Sequence, residues 1–296
     1  MDRHEDFLAD RFEEHRAHLK AVAYRMLGSH AEADDAVQEA WLRVTRADTA
    51  AVDNLAGWLT TVVARICLNV LRSRNQRREE SLDARVPDLV VAPAEYASTP
   101  DPEKEALLAD SVGLALLVVL ETLSPAERLA FVLHDMFSMS FEEIAPVLER
   151  SEAATRQLAS RARRRVRGAR PEPDADLAAQ RSVVDAFLAA ARGGDLETLV
   201  SLLAPDVVVR ADAGKLRPRT LLQGREAVAQ GAMTFARVAE LTRPALVNGA
   251  PGAAAFRGGR LVSVAAFTVS GGQITALDIV SDPERIARID PAVLDG

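Results

Sequence analysis

Apolar residues return at three- and four-residue steps through the first 78 positions, the spacing of one helical face. Leu19, Val22, Ala23, Met26 and Leu27 form the first stripe. The polar run Gly28-Ser-His-Ala-Glu-Ala-Asp-Asp35 breaks it, and Ala33, Val37, Ala40, Trp41 and Val44 make the next. A third helix is predicted after Asp53, with Leu59, Val62, Val63, Ile66 and Val70 on one face. Periodicity then fades. Residues 79–103 hold Pro87, Pro93, Pro100 and Pro102 and read as a linker.

Helical spacing resumes near Glu103. Leu-Ser-Pro-Ala-Glu-Arg, 123–128, is a start signal: Ser124 as N-cap, Pro125 in the first turn, Glu127 completing a capping box. Ser140 and Glu143 repeat the box, and Phe141, Ile144, Ala145 and Leu148 form an apolar stripe. A break at Glu149–Ser151 separates this helix from a second, N-capped by Ser151. The second helix buries Ala154, Leu158, Ala162 and Val166 and turns Glu152, Arg156, Gln157, Ser160, Arg163, Arg164 and Arg167 outward. Two short helices so joined make a helix-turn-helix. After Arg-Pro-Glu-Pro-Asp-Ala-Asp the pattern changes. Residues 176–203 read as two helices split at Gly193–Gly194, Val207–Val209 starts a strand, and Leu221–Glu240 is mostly helical. Leu261–Val269 and Gln273–Val280 alternate as strands around Gly271-Gly272, a hairpin signal. This third region is α+β with an antiparallel sheet.

Charge sharpens the picture. The net charge is −7, yet Ser151–Arg170 carries seven arginines against Glu152 alone. The deficit sits in residues 79–110, with nine acids against two bases. An acidic chain can bind a polyanion when its cations cluster. From Thr60 to Arg78 there is no acid, and Arg65, Arg72, Arg74, Arg77 and Arg78 make a second basic run. Cys67 is the only cysteine, so neither an internal disulfide nor a cysteine metal site is expected, and a cytoplasmic setting fits. The first ten residues lack the apolar core of a signal peptide, and no apolar run reaches the roughly 20 residues of a membrane span.

Two blocks carry a resemblance. AEADDAVQEAWLRV with VVARICLNVLRSRNQRR resembles the sigma-2 domain of extracytoplasmic-function sigma factors of the sigma-70 family, and LSPAERLAFVLHDMFSMSFEEIAPVLERSEAATRQLASRARRRVRG resembles their sigma-4 domain. Residues 176–292 resemble the SnoaL-like cone fused to one subgroup. The resemblance implies two all-α sigma domains, 3–78 and 104–170, an acidic linker at 79–103, and a regulatory α+β domain.

It also implies roles. Asp34, Asp35, Gln38, Glu39 and Trp41 would dock on the β′ clamp helices of core RNA polymerase, with the β flap as a second contact. Arg65, Asn69, Arg72, Arg74, Arg77 and Arg78 would line the −10 promoter DNA. Arg156, Gln157, Ser160 and Arg161 would meet bases of the −35 element, and Arg163, Arg164, Arg165 and Arg167 its phosphates. The regulatory motif of the subgroup survives as Asp212-Ala213-Gly214-Lys215. Its Trp-Leu-Pro-Glu-Pro linker motif is absent, with Ala84-Arg-Val-Pro-Asp88 in the corresponding region. The C-terminal domain is expected to contact the sigma core, with no cofactor, metal or membrane involved. Two other readings stand beside this one: a stand-alone helix-turn-helix regulator, and a SnoaL-like enzyme with a DNA-binding N-terminus. Against the enzyme, residues 172–296 contain no His, Tyr, Trp or Cys, leaving Asp206, Asp212 and Asp278 as carboxylates near strands.

Overall fold

The computed structural model describes residues 3–46, 54–76, 86–93, 114–168, 174, 176–214, 220–234 and 241–289. The chain divides into two compact units, 1–81 with 119–169, and 82–118 with 170–296.

The described residues of the first unit lie in helices or in the turns that join them. Helices α1 (Arg3–Leu27), α2 (His30–Val44) and α3 (Leu55–Gln76) pack through the predicted stripes, with Leu19, Val22, Met26, Val37, Ala40, Leu59, Val63 and Ile66 all buried. Gly28 adopts φ 68°, a conformation open to glycine, and so ends α1 and turns the chain into α2. By length and composition α3 could cross a membrane, but its apolar face is core of the bundle, and Arg65, Arg72 and Arg74 lie along it. Helix α4 (Leu114–Glu121) leads to α5 (Pro125–Phe131), which continues as one π-helical segment, Val132–Met136. Both capping boxes are present, at Ser124/Glu127 and Ser140/Glu143. Helix α6 (Phe141–Leu148) ends at Glu149, whose φ of 56° reverses the chain, and Ser151 caps α7 (Glu152–Gly168) through the Ala154 amide at 3.2 Å. The expected helix-turn-helix is therefore in place. Thr155, Leu158, Ala159 and Ala162 are buried, whereas Ala154 and Val166 are half-buried.

The second unit is α+β. A seven-stranded sheet runs β1 (Val91–Pro93), β4 (Thr242–Val247), β5 (Ala250–Arg257), β6 (Arg260–Ser270), β7 (Gln273–Val280), β2 (Leu203–Asp212), β3 (Thr220–Gln223). Helices α8 (Leu177–Gly193), α9 (Leu196–Leu202) and α10 (Arg225–Thr234) supply Phe187, Leu188, Leu199 and Val228 to an apolar core with Val207, Val209, Phe267 and Leu277 of the sheet. A second core holds Val86, Leu89 and Val91 with Val247, Phe256, Val264, Ala266 and Val280. A short α11 (Pro283–Ile286) closes the fold.

Three sequence expectations change. The sheet is mixed, because β2 runs parallel to β7. Thr220–Gln223 is a strand where a helix was expected, its alternation being too short to announce itself. The third change is in the expected linker. Val91–Pro93 pairs with β4, and Val86, Leu89 and Val91 are buried beside that strand. Acidic and proline-rich composition masked the apolar positions Val86, Leu89 and Val91 there. β4 and β5 also went unread, since Pro244, Pro251 and Gly252 interrupt them. A Cβ at Gly252 would meet the Ala265 carbonyl at 2.7 Å, so the glycine permits close strand approach.

Candidate nucleic-acid interface

Helix α7 carries six arginines, and the structure sorts them. Arg161 Nε donates to Glu127 Oε1 at 3.2 Å and Arg165 Nη1 to Glu127 Oε2 at 3.0 Å. Arg163 Nε donates to Asp135 Oδ1 at 2.6 Å. Arg156 pairs with Glu152 one turn back and stands over the Phe141 ring at 5.4 Å. Among the described residues Arg164 and Arg167 form no ion pair. Gln157, Ser160, Arg164 and Arg167 are exposed and lie opposite the buried stripe. The sequence foresaw this face. It did not foresee that Arg161, Arg163 and Arg165 are held by acids of their own domain.

Glu127 is 7% exposed at its side chain. Burial works to raise its pKa, but the Ser124 hydroxyl and amide, with Arg165 and Arg161, outweigh that and hold it below the ordinary value. Glu143 is held low by the Ser140 hydroxyl and amide.

On α3, Arg65, Asn69 and Arg72 are exposed. Arg65 Nη2 lies 3.5 Å from the Pro146 carbonyl oxygen. Arg74 behaves differently from the expectation: it pairs with Glu32 and donates from Nη1 to the Leu27 carbonyl at 3.1 Å, closing the end of α1. Arg77 and Arg78 lie outside the described residues.

On α2, Asp34, Asp35, Gln38 and Glu39 are exposed. Asp34 pairs with Lys20 at 2.7 Å and Glu39 with Arg43. Trp41 is half-buried against Phe12, ring centroids 5.1 Å apart, so it is mainly packing. Leu42 was missed: it is 48% exposed, one turn beyond Gln38 on the same face. A leucine amid exposed acids was the available signal.

In the second unit Asp212 is fixed from two sides. Its Oδ1 accepts from the Gly214 amide at 3.1 Å, and Arg285 Nη1 donates to Oδ2 at 2.8 Å. The same guanidinium reaches Asp88 at 3.0 Å and the Pro87 carbonyl at 2.6 Å. Lys215 lies outside the described residues. Asp278 is buried and pairs with Arg210 at 3.0 Å, whereas Asp206 is exposed. Carboxylates bound to arginine in this way are poor general bases.

Residues 11–78 match the family Sigma-70 region 2, and residues 113–166 match Sigma-70, region 4. The chain is 40% identical over 294 residues to the ECF RNA polymerase sigma factor SigJ of Mycobacterium tuberculosis, spanning 93% of this chain and 91% of that protein. It is 35% identical over 273 residues to the probable ECF RNA polymerase sigma factor SigI of the same organism, 92% of each chain being covered. The crystal structure of Mycobacterium tuberculosis SigJ superposes with a TM-score of 0.72 at 37% identity, covering 94% of this chain and 98% of that one. An exposed arginine helix in a capped helix-turn-helix, a three-helix block with its own basic face, and these matches agree. The chain belongs to the extracytoplasmic-function RNA polymerase sigma factors of the sigma-70 family, transcription initiation factors rather than enzymes, which bind core RNA polymerase and promoter DNA.

Proposed function

We propose that this sigma factor divides its contacts between three surfaces and one regulatory attachment. Helix α7 reads the −35 element, with Gln157, Ser160 and Arg164 toward bases and Arg156 and Arg167 toward phosphates. Helix α3 meets the −10 element through Arg65, Asn69 and Arg72. Asp34, Asp35, Gln38, Glu39 and Leu42 of α2 dock on the β′ clamp helices of polymerase, and the helix-turn-helix block engages the β flap. The site of action is the cytoplasm, where polymerase works. The observation that carries the reading is the outward row Gln157, Ser160, Arg164, Arg167, opposite the buried stripe of α7. Such a row fits the major groove.

Regulation in cis by the C-terminal unit acts, in this proposal, through residues 86–93. Asp212 of the regulatory motif is connected to Asp88 through the single guanidinium of Arg285, which gives a direct route from motif to linker.

The test is run-off transcription with core polymerase on promoters selected from a random library. Arg164→Ala is expected to reduce −35-dependent initiation about 10-fold or more, from the 1–3 kcal/mol of a good base contact. Arg72→Ala should reduce opening without changing −35 preference. Arg285→Ala should alter output at constant protein level. Unchanged output with Arg285→Ala would reject regulation through 86–93, and unchanged −35 dependence with Arg164→Ala would reject the assignment of α7.

A further inference from the structure

Glu127 does two jobs with one carboxylate. As the third residue of α5 it accepts from the Ser124 amide at 3.2 Å and hydroxyl at 2.8 Å, completing the capping box. It also accepts from Arg161 and Arg165, which are one turn apart on one flank of α7. On the other flank Asp135 holds Arg163. At about 100° per residue, Arg161 and Arg165 fall to one side of the outward row and Arg163 to the other. The helix is thus bracketed about its own axis by two acids, each on the segment Pro125–Met136.

A bracketed helix has fewer rotational settings. It also offers fewer cations, because a guanidinium already paired to a mostly buried carboxylate has little to gain from a phosphate. Phosphate contacts add affinity without sequence information. Withholding them raises the share of binding that depends on bases.

We infer that Glu127 is a positioning residue for −35 recognition, fixing the rotation of α7 and withholding Arg161 and Arg165 from the DNA backbone. The inference rests on the assignment of α7 to the −35 element. Specificity is then set partly by a residue that touches no DNA.

The test uses full-length chain bound to core polymerase. Affinity is measured over a salt series for a selected promoter and for the same promoter with its −35 element scrambled. Glu127→Gln removes the charge but keeps a residue that capping boxes accept. The expected result is tighter binding to scrambled DNA, a specificity ratio reduced about 10-fold, and a salt slope steeper by about 1–2, at roughly 0.9 per released cation. A purely structural role would not steepen the slope. The double variant Arg161→Gln/Arg165→Gln should lose specificity similarly, with no fall in slope. If that double variant lowers the slope by about 2 instead, the arginines are phosphate contacts and the inference is wrong. An unchanged slope and ratio with Glu127→Gln also overturns it. Wild-type indifference to scrambling would remove the −35 assignment itself, and the inference with it.

Discussion

Arg128 donates from Nε and Nη2 to the carbonyl oxygen of Arg25, at 3.3 and 3.1 Å, while its Nη1 sits 2.8 Å from Glu121. The guanidinium is 2% exposed and Glu121 8%. The bond joins the two sequence blocks that match different sigma regions, inside one compact unit. The carbonyl lies in the last turn of α1, where helical C=O groups lack internal partners and carry partial negative charge.

Truncating this arginine should be severe. Arg128→Ala removes the ion pair to buried Glu121 and two hydrogen bonds to the Arg25 carbonyl. The expected loss is about 3–5 kcal/mol of stability in urea unfolding. The double variant Arg128→Met/Glu121→Leu should recover most of it, since a packed apolar pair replaces a buried ion pair at little cost. A double variant as unstable as the single would mean that packing, not the charge, dominates.

Acid should weaken the helix-turn-helix block through its caps. Glu127 and Glu143 titrate below the ordinary 4.5 when folded. Their contribution is complete above 4.5 and disappears as pH falls through their lowered folded values. Urea midpoints measured from pH 7 to pH 3 should therefore drop below about pH 4.5, and Glu127→Gln should flatten that drop. Ser140→Ala should cost about 1 kcal/mol at neutral pH, the usual worth of an N-cap.

Cys67 offers a probe of the three-helix block. Burial pushes its thiol up to about 12, with the Arg128 charge opposing only in part. The thiolate is the reactive form. At pH 8 a thiol reagent should label native protein only through opening of the bundle, and Arg128→Ala should speed labelling. Rapid labelling of wild type would contradict a closed bundle.

Hydrogen exchange can follow residues 86–93. The Val90 amide donates to Asn248 Oδ1 at 3.1 Å and the Asn248 amide to the Val90 carbonyl at 2.8 Å. Arg285→Ala should raise exchange at Val90 and its neighbours while the β6–β7 hairpin stays protected. Uniform change across the unit would point to general destabilisation instead.

The helical half was legible because its rules are local. Stripes at helical spacing, two capping boxes and the Ser151 cap each lie within a few residues, and the structure holds the boxes, the cap and most stripe positions. The outward face of α7 followed from the same periodicity. The ion pairs that thin its arginines did not, because Glu127 and Asp135 stand 28 or more residues away from their partners in sequence. The sheet was only half legible. The β6–β7 hairpin declared itself by Gly271 and Gly272, with φ of 59° and 72°. The parallel β2–β7 pairing and the β1–β4 pairing join distant segments, and no local signal encodes a partner.

That β1–β4 pairing decides which part of the chain the second unit owns. The chain is pinned to one sheet at Pro93, by pairing with Ala245, and again at Asp174, whose amide reaches the Val269 carbonyl at 2.9 Å and whose carboxylate takes the Gly271 and Gly272 amides at 2.8 and 3.0 Å. The second unit is therefore assembled from two stretches far apart in sequence, and the earlier one is held at the sheet edge by a strand of three residues. So short an edge strand has few backbone hydrogen bonds to lose, and it is the part of the sheet expected to open first.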